Sequence, residues 1–332
     1  MKKIIVTGGA GFIGSAVIWE LNRMGPGSGE IIVVDHLNES DKWKNLVRLK
    51  FADYFEKDDF LKDLADGKLD GWDIDAIFHI GACSSTIHPD KRYYIKNNFE
   101  YSKFVAEYAF RKNARFIYAS SAATYGSGEE GFSDDENLLE KLRPLNMYGY
   151  SKHLFDLWLK QNGGLKKAAG LKYFNVFGPN EYHKGEMRSF VVKACEQIAA
   201  TNKIRLFRSH RADFKDGEQK RDFIYIKDAS AMTVFFYEKR DAAGIYNIGT
   251  GEPHTFNELV GGVFDALGLK ARIDYIDMPP EIKNQYQYFT KAEMSKLKAA
   301  GYRKPFYDFA AAVKEYVKDY ILPSKFLADY PK

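Results

Sequence analysis

Cysteine is nearly missing from this chain: Cys83 and Cys195 are the only two among 332 residues. That is too few for a disulfide framework, and they lack metal-ligand spacing, so two free, buried thiols in a reducing cytoplasm are expected. The seven histidines, His36, His79, His88, His153, His183, His210 and His254, show no paired spacing of a zinc or iron site, and no metal is expected. Long apolar runs are also missing. None approaches the roughly 18 residues of a membrane-spanning helix, and Ile4-Ile5-Val6 is interrupted by Thr7 and glycines before a signal-peptide core forms. A cytoplasmic protein with no membrane partner is expected. Nor is there a dominant charge: 49 basic against 45 acidic residues leave +4, too little to make nucleic acid the main partner.

What remains is an ordinary globular composition, 45% apolar and 28% charged, long enough for two domains at about 150 residues each. Aromatics reach 15%, with 22 tyrosines, and amphipathic tyrosines often line polar pockets.

Strand signals at Lys3–Thr7, Ile31–Asp35, Ala76–Ile80 and Arg115–Ala119 alternate with helix-compatible segments at Phe12–Met24, Lys57–Asp66 and Lys91–Arg111. A helix at Gly149–Gln161 and a strand at Leu171–Val176 continue the series. This alternation predicts βαβ crossovers and a doubly wound parallel α/β sheet. After Gly178-Pro179 the pattern loosens, and a smaller, discontinuous α/β substrate domain is expected over about 174–221 and 249–332. The dinucleotide-binding domain would then comprise 1–173 and a return segment, about 222–248, with Asp222–Ile226 rejoining the sheet.

Gly8, Gly11 and Gly14 sit between the first strand and the first helix. There they let the backbone approach a pyrophosphate at a helix N-terminus, and Asp35, about twenty residues on, can bind the adenosine ribose. Tyr148 and Lys152 are four apart, on one face of a helix. An ammonium beside the phenol is expected to lower its pKa toward that of a working base. Ser120 and Ser121 end a strand at the carboxyl edge, where ligands of such sheets bind.

In this order, Gly-x-x-Gly-x-x-Gly, Ser121 and Tyr148-x-x-x-Lys152 resemble the extended short-chain dehydrogenase/reductase family. Within it, FHIGACSST, YASSAATYGS, PLNMYGYSKHLFD, FNVFGPNEYHKGEM, RDFIYIKD and QYQYFTKAEM are similar to the ADP-heptose 6-epimerases of lipopolysaccharide-precursor synthesis. The resemblance implies inversion of carbon 6 by transient oxidation and re-reduction, with Tyr148 and Lys184 acting on opposite faces and Ser121 and Lys152 assisting. It implies dinucleotide contacts from Phe12, Ile13, His36, Lys42, Lys57, Gly81, Ala82, Cys83, Ser84, Asn97, Lys152 and Val176. Substrate contacts fall on Ser121, Asn175, Glu186, Lys193, Phe207, Arg208, Ser209, His210, Arg221 and Tyr286, with Arg221 clamping the pyrophosphate as a planar fork.

Asp35 alone favours NAD, since a carboxylate repels the extra phosphate of NADP. The resemblance sets Lys42 and Lys57 beside it, and NADP is the expected cofactor, NAD the alternative. An ADP-sugar substrate and a homo-oligomer are expected. Competing readings are another nucleotide-sugar epimerase or dehydratase, or a non-catalytic NADP sensor. Ala122-Ala123-Thr124, where dehydratases usually carry an Asp-Glu pair, disfavours dehydration, and the intact Tyr148 and Lys152 disfavour the sensor.

Overall fold

The computed structural model describes residues 2–25, 29–86, 88–283 and 286–330. The first strand, β1 (Lys3–Thr7), is buried from Ile4 onward, as befits an apolar central strand of a parallel sheet. It turns through glycines into α1 (Phe12–Arg23), and β2 (Glu30–Asp35) follows. Next come β3 (Asp53–Glu56), α2 (Lys57–Ala65) and β4 (Ile74–His79). One continuous helical stretch then holds α3 (Lys91–Tyr94), a π-helical segment (Ile95–Glu100) and α4 (Tyr101–Arg111). After β5 (Arg115–Ser121) come α5 (Met147–Gln161) and β6 (Ala168–Tyr173).

The chain then leaves the sheet through β7 (Asn175–Phe177), α6 (Phe190–Thr201), β8 (Ile204–Phe207) and β9 (Lys220–Tyr225), and returns with α7 (Ile226–Glu238) and β10 (Gly244–Ile248). The last elements are β11 (Pro253–Thr255), α8 (Phe256–Leu267), β12 (Ile273–Ile276), α9 (Pro280–Lys283), α10 (Ser295–Ala299) and α11 (Phe309–Glu315).

Seven strands form one parallel sheet in the order β10-β6-β5-β4-β1-β2-β3. The winding reverses between β1 and β4, which opens a crevice at their carboxyl ends. The expected strand at Leu171–Val176 is in fact two. β6 ends at Tyr173 in the large sheet, Phe174 is the joint, and β7 pairs with β9 in a three-stranded sheet of order β11-β9-β7. Apolar residues run through both halves, so periodicity could not show the break. The expected return of Asp222–Ile226 to the large sheet is likewise corrected. Its strand, β9, stays beside β7 and β11, and β10 is the strand that rejoins. Strand β3, with half-buried and exposed residues, carried too little apolar signal to be read.

Two apolar cores result. One surrounds the large sheet; the other gathers α6, α8, α11 and the inner residues of β8 and β9. Helix α1 belongs to both, giving Val17, Ile18 and Leu21 to the first and Phe12 and Ala16 to the second.

Candidate active site

At the β1–α1 turn the backbone packs too closely for any side chain. A Cβ on Gly14 would lie 2.0 Å from the Gly8 carbonyl oxygen, and one on Gly8, at φ +68°, would lie 2.5 Å from Gly81 Cα. Gly11 caps α1 without a side-chain hydrogen bond, so the first amides of a twelve-residue helix face the crevice with their dipole. This bare cradle fits a pyrophosphate.

A cleft of about 400 Å³ lies along it, lined by Gly8, Gly11, Phe12, Ile13, Gly14, Asp35, Lys42, Gly81, Ala82, Ser84, Tyr148, Lys152 and Lys184, among others. A second cavity of about 210 Å³ shares Gly8, Asp35, Lys42, Gly81 and Ala82 with it and adds His36, Lys57, Cys83 and Asn97. Thus every expected dinucleotide contact except Val176 borders one of the two cavities, although they are scattered from residue 8 to residue 152. Cys83 is half-buried there rather than buried, unlike Cys195.

Asp35 is tightly engaged. Its Oδ2 accepts from the Ala10 amide at 2.8 Å, and its Oδ1 accepts from the His36 amide at 2.7 Å and from Lys42 Nζ at 2.6 Å. Lys57 Nζ donates to Asn97 Oδ1 at 2.6 Å. Asn97 and Asn98 lie in the π-helical segment, where such turns often serve function. Asn98 ties the 81–85 loop to α5: its Oδ1 accepts from the Cys83 amide at 2.7 Å, and its Nδ2 donates to Cys83 O at 3.0 Å and Ser151 Oγ at 2.9 Å. Sequence reasoning passed over Asn98, because a lone asparagine inside a helix carries no motif.

Helix α5 starts from an Asn146 cap whose side chain accepts from the Gly149 amide at 2.8 Å. Gly149 lets this first turn press against the turn after β5, where a Cβ would lie 2.7 Å from Ala123 O. Tyr148 is thereby brought within hydrogen-bonding reach of Ser121. Lys152, buried, donates to Ala119 O at 2.8 Å. Burial pulls the Lys152 ammonium down to about 8, against the Asp156 carboxylate, which favours the charge. The expected lowering of the tyrosine is reversed: burial raises the Tyr148 phenol above its ordinary value, opposed only by the Ser121 hydrogen bond.

Lys184 reaches the same cleft from the 182–187 turn, its ammonium 5.1 Å from the centre of the Phe12 ring. Burial lowers its pKa, while buried Glu181 raises it. His183 beside it also lines the cleft, and burial pulls it down to about 4. It was missed because an isolated histidine in a loop has no distinguishing spacing.

The expected substrate contacts lie beyond the lining of both cavities. Arg221 is buried, its guanidinium 5.2 Å from the Tyr286 ring. Phe207 packs edge-on to Tyr286, and Tyr288 joins that ring to His210, whose Nδ1 lies 2.7 Å from Tyr288 Oη. Ser209 Oγ donates to Arg211 O at 2.8 Å. Exposed Glu186 pairs with half-buried Lys193 at 3.2 Å, and Arg208 pairs with Asp277 at 3.4 Å on the surface. Asn175 and Val176 start β7. Among the described residues no helix is long and apolar enough to cross a membrane.

The profile of the NAD dependent epimerase/dehydratase family matches residues 4–249. The chain is 50% identical over 317 residues to an ADP-L-glycero-D-manno-heptose-6-epimerase of Nitratidesulfovibrio vulgaris, covering 96% of this chain and 97% of that one. It is 44% identical to the Fusobacterium nucleatum enzyme of the same name, over 96% and 98% of the two chains. Among solved structures it resembles the Helicobacter pylori ADP-L-glycero-D-manno-heptose-6-epimerase, with TM-score 0.78 and 28% identity over 96% of each chain.

Proposed function

Because the chain belongs to the NAD dependent epimerase/dehydratase family, we propose that it inverts carbon 6 of an ADP-heptose, interconverting ADP-D-glycero-D-manno-heptose and ADP-L-glycero-D-manno-heptose for lipopolysaccharide precursors. The substrate reading is supported by the 50% identity to an enzyme of that name along almost the whole of both chains. The observation that carries the mechanism is that two acid–base side chains from different elements, Tyr148 of α5 and Lys184 of the 182–187 turn, open onto one cleft.

The cradle of Gly8, Gly11 and Gly14 would hold the dinucleotide pyrophosphate, with Lys42 and Lys57 at the adenosine end and Lys152 beside the nicotinamide ribose. Bound there, the cofactor supplies the acceptor and donor of hydride at a carbon that ends with no net redox change. Lys42 and Lys57 favour NADP: Lys42 already compensates the Asp35 charge that would repel a 2′-phosphate.

Tyr148 serves the carbon-6 hydroxyl in one orientation as a phenolate, whose ionisation the Lys152 ammonium one turn away and a positively charged nicotinamide would favour against the burial that raises the free phenol, and Ser121 steadies the oxygen. Lys184, deprotonated more easily because it is buried, serves the other orientation. Arg221 grips the substrate diphosphate through its planar fork, backed by Tyr286. The test is incubation of the purified protein with ADP-D-glycero-D-manno-heptose, followed by NMR at carbon 6. Appearance of the L-glycero epimer is expected. Unchanged substrate with cofactor bound would sink the reading.

A further inference from the structure

On α5 the residues Tyr148, Lys152 and Asp156 are spaced one turn apart and share a face. Three consecutive residues at the end of β5 meet them: Ser121 at Tyr148, the Ala119 carbonyl at Lys152 Nζ, and Ser120 Oγ, which donates to Asp156 Oδ2 at 2.7 Å. Asp156 is fully buried, and so is its ion-pair partner Lys172, 2.8 Å away on β6 directly opposite Ser120. Tyr118 Oη donates to Asp156 Oδ1 at 2.9 Å, and Lys172 Nζ donates to Thr124 Oγ1 at 2.5 Å.

A buried ion pair is a poor way to stabilise a core, since an apolar pair of similar volume usually does as well. A reason other than stability is therefore needed for keeping Asp156 and Lys172 here. Besides Asp156, the charged or titratable groups facing Lys152 are Cys83 from the loop after β4 and His79 at its end, with Tyr148 one turn away. Burial disfavours positive charge at Lys152 and holds His79 neutral, so Asp156 is the carboxylate that supports the ammonium. His153 also senses Asp156 and Lys172.

We propose that Asp156, held by Lys172, Ser120 and Tyr118, is a positioning residue that provides the electrostatic seat of the Lys152 ammonium on the Ala119 carbonyl. The same carboxylate fixes Ser120 and so the strand end that carries Ser121 to Tyr148. This role rests on the reading of Lys152 and Tyr148 as the acid–base pair of the proposed reaction.

The test is an NMR titration of protein labelled at lysine carbon ε, with the Lys152 signal identified by its loss in Lys152→Met. In the unsubstituted protein Lys152 is expected to titrate at about 8, pulled down by burial. In Asp156→Asn/Lys172→Met, which replaces the pair without stranding a charge, its proton affinity is expected to fall at least about tenfold. Asp156→Asn alone, leaving Lys172 uncompensated, should lower it further. Either variant that melts cooperatively suffices. A midpoint that stays put, or rises, overturns the proposal, whereas general loosening of the fold would not produce this ordering. The titration needs no substrate, so absence of epimerisation in the unsubstituted protein would sink the proposed activity alone.

Discussion

Lys42 and Asp35, both lining the cleft, form an ion pair with Nζ 2.6 Å from Oδ1. The pair changes what an acidic residue at the end of β2 means. A free carboxylate there would repel a 2′-phosphate, whereas this one is held by two backbone amides and matched by an ammonium. Lys42→Ala combined with Lys57→Ala is therefore expected to weaken NADPH binding by at least about tenfold, and NADH binding much less. Calorimetric titration with both nucleotides checks this, and an equal loss for both would argue for NAD.

Gly14→Ala should remove dinucleotide binding altogether. Its Cβ would lie 2.0 Å from the Gly8 carbonyl oxygen, backbone that cannot step aside without opening the cradle. Fluorescence of bound reduced cofactor reads the loss directly. Binding within about threefold of the unsubstituted protein would refute the pyrophosphate assignment.

Tyr148→Phe and Lys184→Met should each leave cofactor binding nearly intact and slow epimerisation by at least about 10²-fold. A carbon-6 aldehyde analogue separates the two bases, because each variant should keep the half-reaction that the other loses. Full epimerisation in both directions by Lys184→Met would leave Tyr148 serving both faces alone.

The Lys152 ammonium, pulled down to about 8 by burial, is charged below that pH and loses its proton above it. Function that relies on its charge is thus complete on the acid side and falls as pH rises through about 8. Lys152→Arg should move that limb up beyond pH 9 or so, since a guanidinium stays protonated. Cofactor affinity measured across pH 6.5–10 tests it, and a flat profile in the unsubstituted protein would contradict the role.

For Arg221→Ala, the expected effect is on KM for the ADP-sugar, about tenfold or more, with a smaller effect on kcat, because a diphosphate clamp acts equally in ground and transition states. A matched fall in kcat and kcat/KM, with KM unchanged, would place Arg221 in the chemistry instead.

What could be read beforehand was local in sequence. The glycines at 8, 11 and 14 and the four-residue step from Tyr148 to Lys152 each lie within one turn or one helix, so spacing alone conveys geometry. Relationships across the fold were less legible. The break at Phe174, between two equally apolar strands in different sheets, has no signature in periodicity. The raised Tyr148 phenol follows from burial, which spacing does not report, and the contacts from Asn98 to Cys83 and Ser151 join residues far apart in the sequence. The Asp156–Lys172 pair joins a helix to a strand sixteen residues on, in register with Ser120, and only the folded sheet makes them neighbours.

Phe12 is the first residue of α1, and the Lys184 ammonium rests 5.1 Å from the centre of its ring. One position thus belongs to the helix N-terminus at the glycine cradle through its backbone and meets Lys184 through its side chain. A chimera that imports the first strand–helix unit of another dinucleotide enzyme would inherit that unit's glycine cradle, yet it would unseat the distant lysine unless an aromatic ring came with it. The exchangeable part of this enzyme is therefore larger than its glycine motif: the motif and the 182–187 turn have to be replaced together.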